Sequence, residues 1–334
     1  MKIVDMHCDT IARLYERKEQ GEKETLNRNQ LDIDLQKLEL GDYLLQNFAV
    51  FLDLEKSPHP YQKAVNMIQL FKDELAVNAE RISLVTNYEQ MKQNEQDGKL
   101  SALLTLEEGE ICEGDLKKLD ALYQMGARML TLTWNYENSL GHPNVNAREK
   151  KEDSIEKFTT PEVEKGLTKR GIEFVERMNE IGMIVDVSHL SDAGFYDVAR
   201  YSTKPFVASH SNARQVCPWV RNLTDNMIRT LSNCGGVMGL NFCMNFLKSS
   251  SDSENGEDYM DAVVAHAKHI VNIGGMDVLG FGTDFDGIER NVDLQDASYM
   301  PKLIHKMKKA GFTGDNLDKI MKDNVLRVYR EVLV

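Results

Sequence analysis

Residues 164–189 read EKGLTKRGIEFVERMNEIGMIVDVSH. Glu164–Ile181 carries apolar residues at helical spacing, Gly182 stands where a helix C′ stop belongs, and Met183–Ser188 is a short, mainly apolar run that ends on His189. A helix followed by a strand with almost no polar face is one unit of a parallel sheet, because only a sheet covered by helices on both sides buries both faces. The unit recurs along the chain. Strands are expected at Lys2–Met6, Leu45–Phe51, Ser101–Leu106, Arg128–Thr133, Met183–Ser188, Phe206–Ser209, Gly236–Asn241 and Val278–Gly282. Amphipathic helices are expected at Tyr61–Ala79, Glu113–Met125 (with Gly126 as its stop), Thr224–Asn233 and Asp258–Ile273, with closing helices near Tyr299–Ala310 and Thr313–Val332. About eight such units make an α/β chain of the (β/α)8 TIM-barrel type, spanning residues 1–334 as one catalytic domain. Two stretches, Asn135–Thr168 and Lys248–Glu257, interrupt the pattern after strands and are expected to overhang the site as lids.

At 334 residues, 42% hydrophobic and 28% charged, the chain can bury the full core that such a barrel needs. The net charge of −13, with Lys and Arg scattered among acids, leaves no basic stripe for a phosphate backbone, so nucleic acid is excluded as a partner. The first residues run straight into a strand without the apolar region of a signal peptide, and no apolar run approaches bilayer length, so a cytoplasmic protein without membrane attachment is expected. Five cysteines without a C-x-x-C pair fit reduced thiols and disfavour zinc ribbons.

The polar residues that carry chemistry follow the strands, where barrel enzymes build their sites. His7 and Asp9 follow the first strand, Glu107 the third, His189 the fifth, His210 the sixth and Asp284 the eighth. In an extended segment residues i and i+2 share a side, so His7 and Asp9 can grip one cation. An isolated H-x-D is more often a hydrogen-bonded core pair. His189 and His210, however, end successive apolar strands at matched positions, and with His7 and Asp9 they make a metal site the better reading. An acid leaving a buried strand must be paired, solvated or metal-bound, and Glu107 is placed to bridge two ions; its neighbour Glu108 is the rival. No lysine suited to carbamylation and bridging stands at a strand end. One ion would take His7, Asp9 and Glu107, the other Glu107, His189 and His210. Mixed imidazole and carboxylate ligands suit zinc, with manganese or cobalt able to substitute. His266 and His269, spaced i, i+3, read as a solvated helix face, His59 and His305 as surface residues, and His142 lies within the first lid.

The motifs Asp5-Met6-His7-Cys8-Asp9, Leu106-Glu107-Glu108-Gly109, Asp186-Val187-Ser188-His189, Ser209-His210-Ser211, Arg221-Asn222 and Gly280-Phe281-Gly282-Thr283-Asp284-Phe285-Asp286-Gly287 keep an order and spacing that resembles the membrane dipeptidase (renal dipeptidase) family of metallopeptidases. The resemblance spans essentially the whole chain. It implies a barrel with two zinc ions that activate a water to cleave dipeptides, commonly with tolerance for a D-residue at the C-terminal position, and it implies a dimer. Family ligands fall on His7, Asp9, Glu107, His189 and His210. Arg221 would then bind the substrate carboxylate, and Asp284 would face the attacking water as the proton carrier. Where many family members place a substrate-binding histidine after Leu-Thr-Leu-Thr, this chain has Trp134. An indole N–H donates but cannot become cationic, so oxyanion stabilisation from that position changes. Two rival readings remain: a barrel amidohydrolase or lactonase acting on a non-peptide amide or ester, and a silent ligand-binding barrel. The complete ligand set argues against the second.

Overall fold

The computed structural model describes residues 2–148, 155–248 and 258–333. Among the described residues nine strands run β1 Ile3–Asp5, β2 Tyr43–Phe51, β3 Ile82–Leu84, β4 Leu100–Glu107, β5 Ala127–Thr131, β6 Ile184–Asp186, β7 Val207–Ala208, β8 Val237–Leu240 and β9 Leu279–Phe281. All are parallel, in the order β2-β1-β9-β8-β7-β6-β5-β4, and the β2–β4 pairing closes the ring of eight. This is the (β/α)8 barrel expected from the sequence. β3 is the addition: it pairs only with the start of β4, Ile82 opposite Leu100 and Leu84 opposite Ala102, below the point where β5 takes over at Leu104–Ala127. Three residues are too few to display alternation, which hides this strand in the sequence.

The alternation of the strands sorts two cores. Val4, Leu45, Leu103, Met129, Ile184, Val207 and Val237 fill the inside of the ring, closed by Val325, Val328, Tyr329 and Val332 of the last helix. Leu104, Leu106, Leu130 and Val185 face outward against the helices. In β4 the period of two puts Glu107 on the face of Leu103, inside the barrel and at its C-terminal mouth. The last helix runs from Asp315 to Val332 through a π-helical stretch, Lys319–Asp323, and the Tyr329 hydroxyl meets the Asn47 side chain of β2.

The expected helices are found, that of Glu113–Met125 as Leu116–Gln124, and Thr10–Glu19, Tyr88–Gln96 and Asp192–Tyr201 are helices beyond those expected. The helix expected from Glu164 starts at Lys169, because Thr168 is its cap: the Thr168 hydroxyl accepts from Gly171 N–H and donates to Ser139 O, while Leu167 N–H is held by Asp197. Residues ahead of Thr168 thereby belong to the 135–168 segment. That segment is stitched down where it is described. Gly141 bridges to Leu167 and Pro143 to Leu190, and the Asn144 amide donates to Leu190 O, Asp192 and Val220 O. Phe158 lies against Trp219, beside the segment that carries Arg221. Residues 149–154 and 249–257, parts of the two segments expected as lids, lie outside the described residues. Among the described residues no helix is long and apolar enough to cross a membrane.

Candidate metal centre

At the end of β1 the buried Asp5 carboxylate accepts from His7 N–H, Thr283 N–H and the Thr283 hydroxyl, at 3.2, 3.0 and 2.7 Å. This tether turns the chain so that Cys8 packs into the outer core while His7 and Asp9 face the mouth. His7 Nε2 lies 3.5 Å from Asp9 Oδ2, 3.4 Å from Glu107 Oε2 and 3.8 Å from Asp284 Oδ1. The other oxygen of Glu107, Oε1, lies 3.1 Å from His189 Nε2 and 3.6 Å from His210 Nε2. Glu107 thus divides its two oxygens between two groups of side chains. Glu108, the rival position, points away and clamps the start of the 135–168 segment: it accepts from Glu110 N–H, Trp134 N–H and the Asn138 amide.

The imidazoles are oriented from behind. Asp186, fully buried, accepts hydroxyl protons from Thr131 and Ser209 at 2.6 Å each and the N–H groups of Ser188 and Ser209. With its own proton committed to Asp186, Ser209 Oγ accepts from His210 Nδ1 at 2.7 Å. His189 Nδ1 donates to Asn135 Oδ1 at 2.9 Å. Both rings therefore turn bare Nε2 lone pairs toward each other, 3.0 Å apart. Two acceptors at that distance repel unless a cation lies between them and the carboxylates.

Other observations fit a divalent metal. His7 Nδ1, His7 Nε2 and Asp9 Oδ1 are buried with no hydrogen-bond partner among the described residues, and three overlapping trios drawn from His7, Asp9, Glu107, His189, His210 and Asp284 bring their ligand atoms within 4.8 Å of one another. Gly287 leaves the space this needs, since a Cβ there would collide with the carboxylates of Asp9 and Asp284. Burial pushes the Glu107 carboxyl up to about 8 and that of Asp284 up to about 6. Burial also works against protonation of all three histidines. It wins at His189 and His210, whose pKa values fall well below the usual, whereas at His7 the carboxylates of Glu107 and Asp9 outweigh it. His189 and His210 are thus ready as neutral ligands, while Glu107, held protonated by burial, and His7, held protonated by its carboxylate neighbours, are ligands poised to exchange a proton for a cation.

Asp284 Oδ2 accepts from the Asn241 amide at 2.9 Å, which leaves Oδ1 facing the cluster. Arg221 is buried; one nitrogen reaches His210 O at 3.3 Å, another reaches Ser211 Oγ at 3.5 Å, Nε has no partner, and no carboxylate pairs with it among the described residues. Trp134 lines a cleft of about 320 Å³ with Asp9, Phe51, Glu107, His189, Phe246 and Asp284. Every site residue expected from the sequence is thus gathered at one mouth.

His266 and His269 do not form the solvated face expected of them. His266 is fully buried, taking Ala213 N–H on Nδ1 and donating from Nε2 to Leu247 O, and His269 lies 2.7 Å from Asp225. His142 stands between Gly166 O and Glu137, and His59 and His305 are exposed as expected. Sequence reasoning gave no role to Asp186, Ser209, Asn135, Asn241 or Gly287. The Asp-x-His and Asp-x-x-His spacing at both strand ends was the available signal for the buried aspartates.

A family model described as membrane dipeptidase, peptidase family M19, matches residues 1–333. The chain is 32% identical to an uncharacterized protein in the pqqA 5′ region of Klebsiella pneumoniae, over 79% of this chain and 94% of that one. It superposes with a TM-score of 0.88 on the metallopeptidase dipeptidase AC, a member of family M19, at 26% identity over 100% of this chain and 99% of that one. A metallopeptidase from Rhodobacter sphaeroides, liganded with a phosphinate mimic of the dipeptide L-Ala-D-Ala, shares the fold with a TM-score of 0.88 at 24% identity, covering 99% of each chain. The chain belongs to the membrane dipeptidase family of metallopeptidases, peptidase family M19.

Proposed function

We propose that this chain hydrolyses dipeptides, including those with a D-residue at the C-terminal position, and that it holds two divalent ions, zinc foremost. The observation that carries the reading is Glu107, whose oxygens face two separate ligand groups: His7 with Asp9, and His189 with His210. Those residues would hold the ions, which when bound supply Lewis acidity toward a peptide carbonyl and toward water. The rest of the work falls to the protein. Asp284, held through Oδ2 by Asn241, has Oδ1 free to take a proton from the attacking water and return it to the leaving amine. Arg221 has a buried guanidinium without a carboxylate partner among the described residues, which suits the terminal carboxylate of a short peptide. Trp134 walls the cleft and, being neutral, adds no positive charge at the oxyanion. The dipeptide mimic bound by the similarly folded Rhodobacter peptidase supports including L,D-dipeptides. Five cysteines, none joined in a disulfide, support placement in a reducing compartment, the cytoplasm.

The test is hydrolysis of L,L- and L,D-dipeptides by protein stripped with chelator and reloaded with zinc, with metal counted per chain. Activity lost on stripping and restored by two equivalents is the expected result. Two bound ions with turnover of esters or lactones and none of dipeptides would move the chain to the amidohydrolase reading.

A further inference from the structure

The cleft has two unlike sides. Phe51 ends β2 in register with Glu107, and Trp134 follows β5 on the other flank of β4. The two rings therefore stand on either side of Glu107 and meet edge to face, centroids 4.9 Å apart. Tyr136 backs the indole at 5.4 Å and is pinned by donating its hydroxyl to Asp53 at 2.7 Å. The indole centroid is also 6.2 Å from that of His189. In the ring order β4 lies opposite β8, and the segment after β8 carries Phe246, whose ring has the Arg221 guanidinium 5.6 Å from its centroid.

A dipeptide anchored by its carboxylate on Arg221 must therefore turn its N-terminal residue toward the β2–β4–β5 arc. The charges at the rim pair with one another, Lys56 with Asp53 at 3.2 Å and Arg13 with Glu16 at 3.2 Å, and so present little net charge to that residue. What the arc offers is aromatic surface, and an edge-to-face pair braced by a third ring presents it rigidly.

We propose that Phe51 and Trp134 form an aromatic subsite that selects dipeptides with a large, flat, apolar side chain on the N-terminal residue, namely Phe, Tyr or Trp. This rests on the dipeptidase reading above. Contact of one aromatic side chain with such a wall favours it over alanine by roughly tenfold or more.

The experiment measures kcat/KM for X-D-Ala and X-L-Ala, with X as Ala, Leu, Phe, Trp, Lys or Asp, on zinc-loaded wild type, Phe51→Ala, Phe51→Tyr and Trp134→Ala. In the wild type, Phe and Trp should exceed Ala, Lys and Asp by roughly tenfold or more, with the difference carried mainly by KM. Both alanine variants should bring the Phe-to-Ala ratio to within about threefold of unity, and Phe51→Tyr should keep it high. Dipeptides cleaved with no aromatic preference, or a preference unchanged in both alanine variants, would overturn the subsite and leave the dipeptidase standing. A fully loaded enzyme that cleaves no dipeptide removes both.

Discussion

Asp284 sits in left-handed backbone at φ 64°, as do His189 at φ 69° and Asp286 at φ 68°, and Glu108 lies at φ 104°. Such backbone costs on the order of 1–3 kcal/mol per residue and persists where the surroundings enforce it, here around one mouth. Asp284→Asn keeps the shape and the bond to Asn241 but cannot carry the proton, so kcat should fall by roughly 10²–10⁴ while bound metal is unchanged. Burial raises the Asp284 carboxyl to about 6, and nearby cations pull it down, so the acid limb of kcat/KM should lie at or below about pH 6 and be absent from the variant. Loss of metal in Asp284→Asn would instead make Asp284 a ligand. Ser209→Ala cuts the link from Asp186 to His210 and should weaken metal binding by roughly 10–100-fold in chelator competition, with the fold intact. The candidate ligands were legible because histidines and acids that end buried strands stand out; a serine before a histidine does not. His266 was misread although Val263, Ala267 and Ile270 share its helix face and are buried with it.

At the scale of strand ends and loops, the site is a set of close approaches. Gly287 has no positive φ, so its requirement is steric: a methyl group there would meet Asp9 and Asp284 side-chain oxygens. Gly287→Ala should therefore push two carboxylates out of place, lowering metal occupancy and kcat together, with little change in secondary structure; calorimetry and metal analysis on the same sample separate this from misfolding. If occupancy and kcat both survive, the carboxylates have room that this geometry denies them. Element boundaries were readable wherever a helix stop or an apolar run marked them, as at Gly182 and Met183. They were not readable at β3, which is three residues long, or ahead of Lys169, where hydrogen bonds donated to Ser139 O and Asp197 on distant segments decide where the helix begins. Contacts of that kind leave no periodic trace in the sequence.

For the whole molecule, the count of strand–helix units was enough to read the closed barrel, since eight parallel strands apolar on both faces have few other ways to be buried. What the count cannot give is how acids buried around the mouth share their charge. Asp286 is 6% exposed, accepts from the Thr10 hydroxyl and Asp32 N–H, and lies beside the Asp32 carboxylate. Burial first, and Asp32 second, push its carboxyl from the ordinary 3.8 up to about 7. The folded chain therefore binds this proton more tightly than the unfolded one. The resulting contribution to stability is complete below about pH 4 and is lost as pH rises through about 7. An amide at this position has no such proton to lose and retains an acceptor and a donor for the same neighbours. Asp286→Asn should accordingly match the wild type near pH 4 and exceed it at pH 8 by on the order of 2 kcal/mol, after allowing for relaxation around a buried carboxylate. Urea unfolding of metal-loaded protein at the two pH values reads this directly. An equal loss of stability at both would mean that Asp286 is ionised in the folded state and held there by its hydrogen bonds, leaving the mouth of the barrel more negative before metal enters.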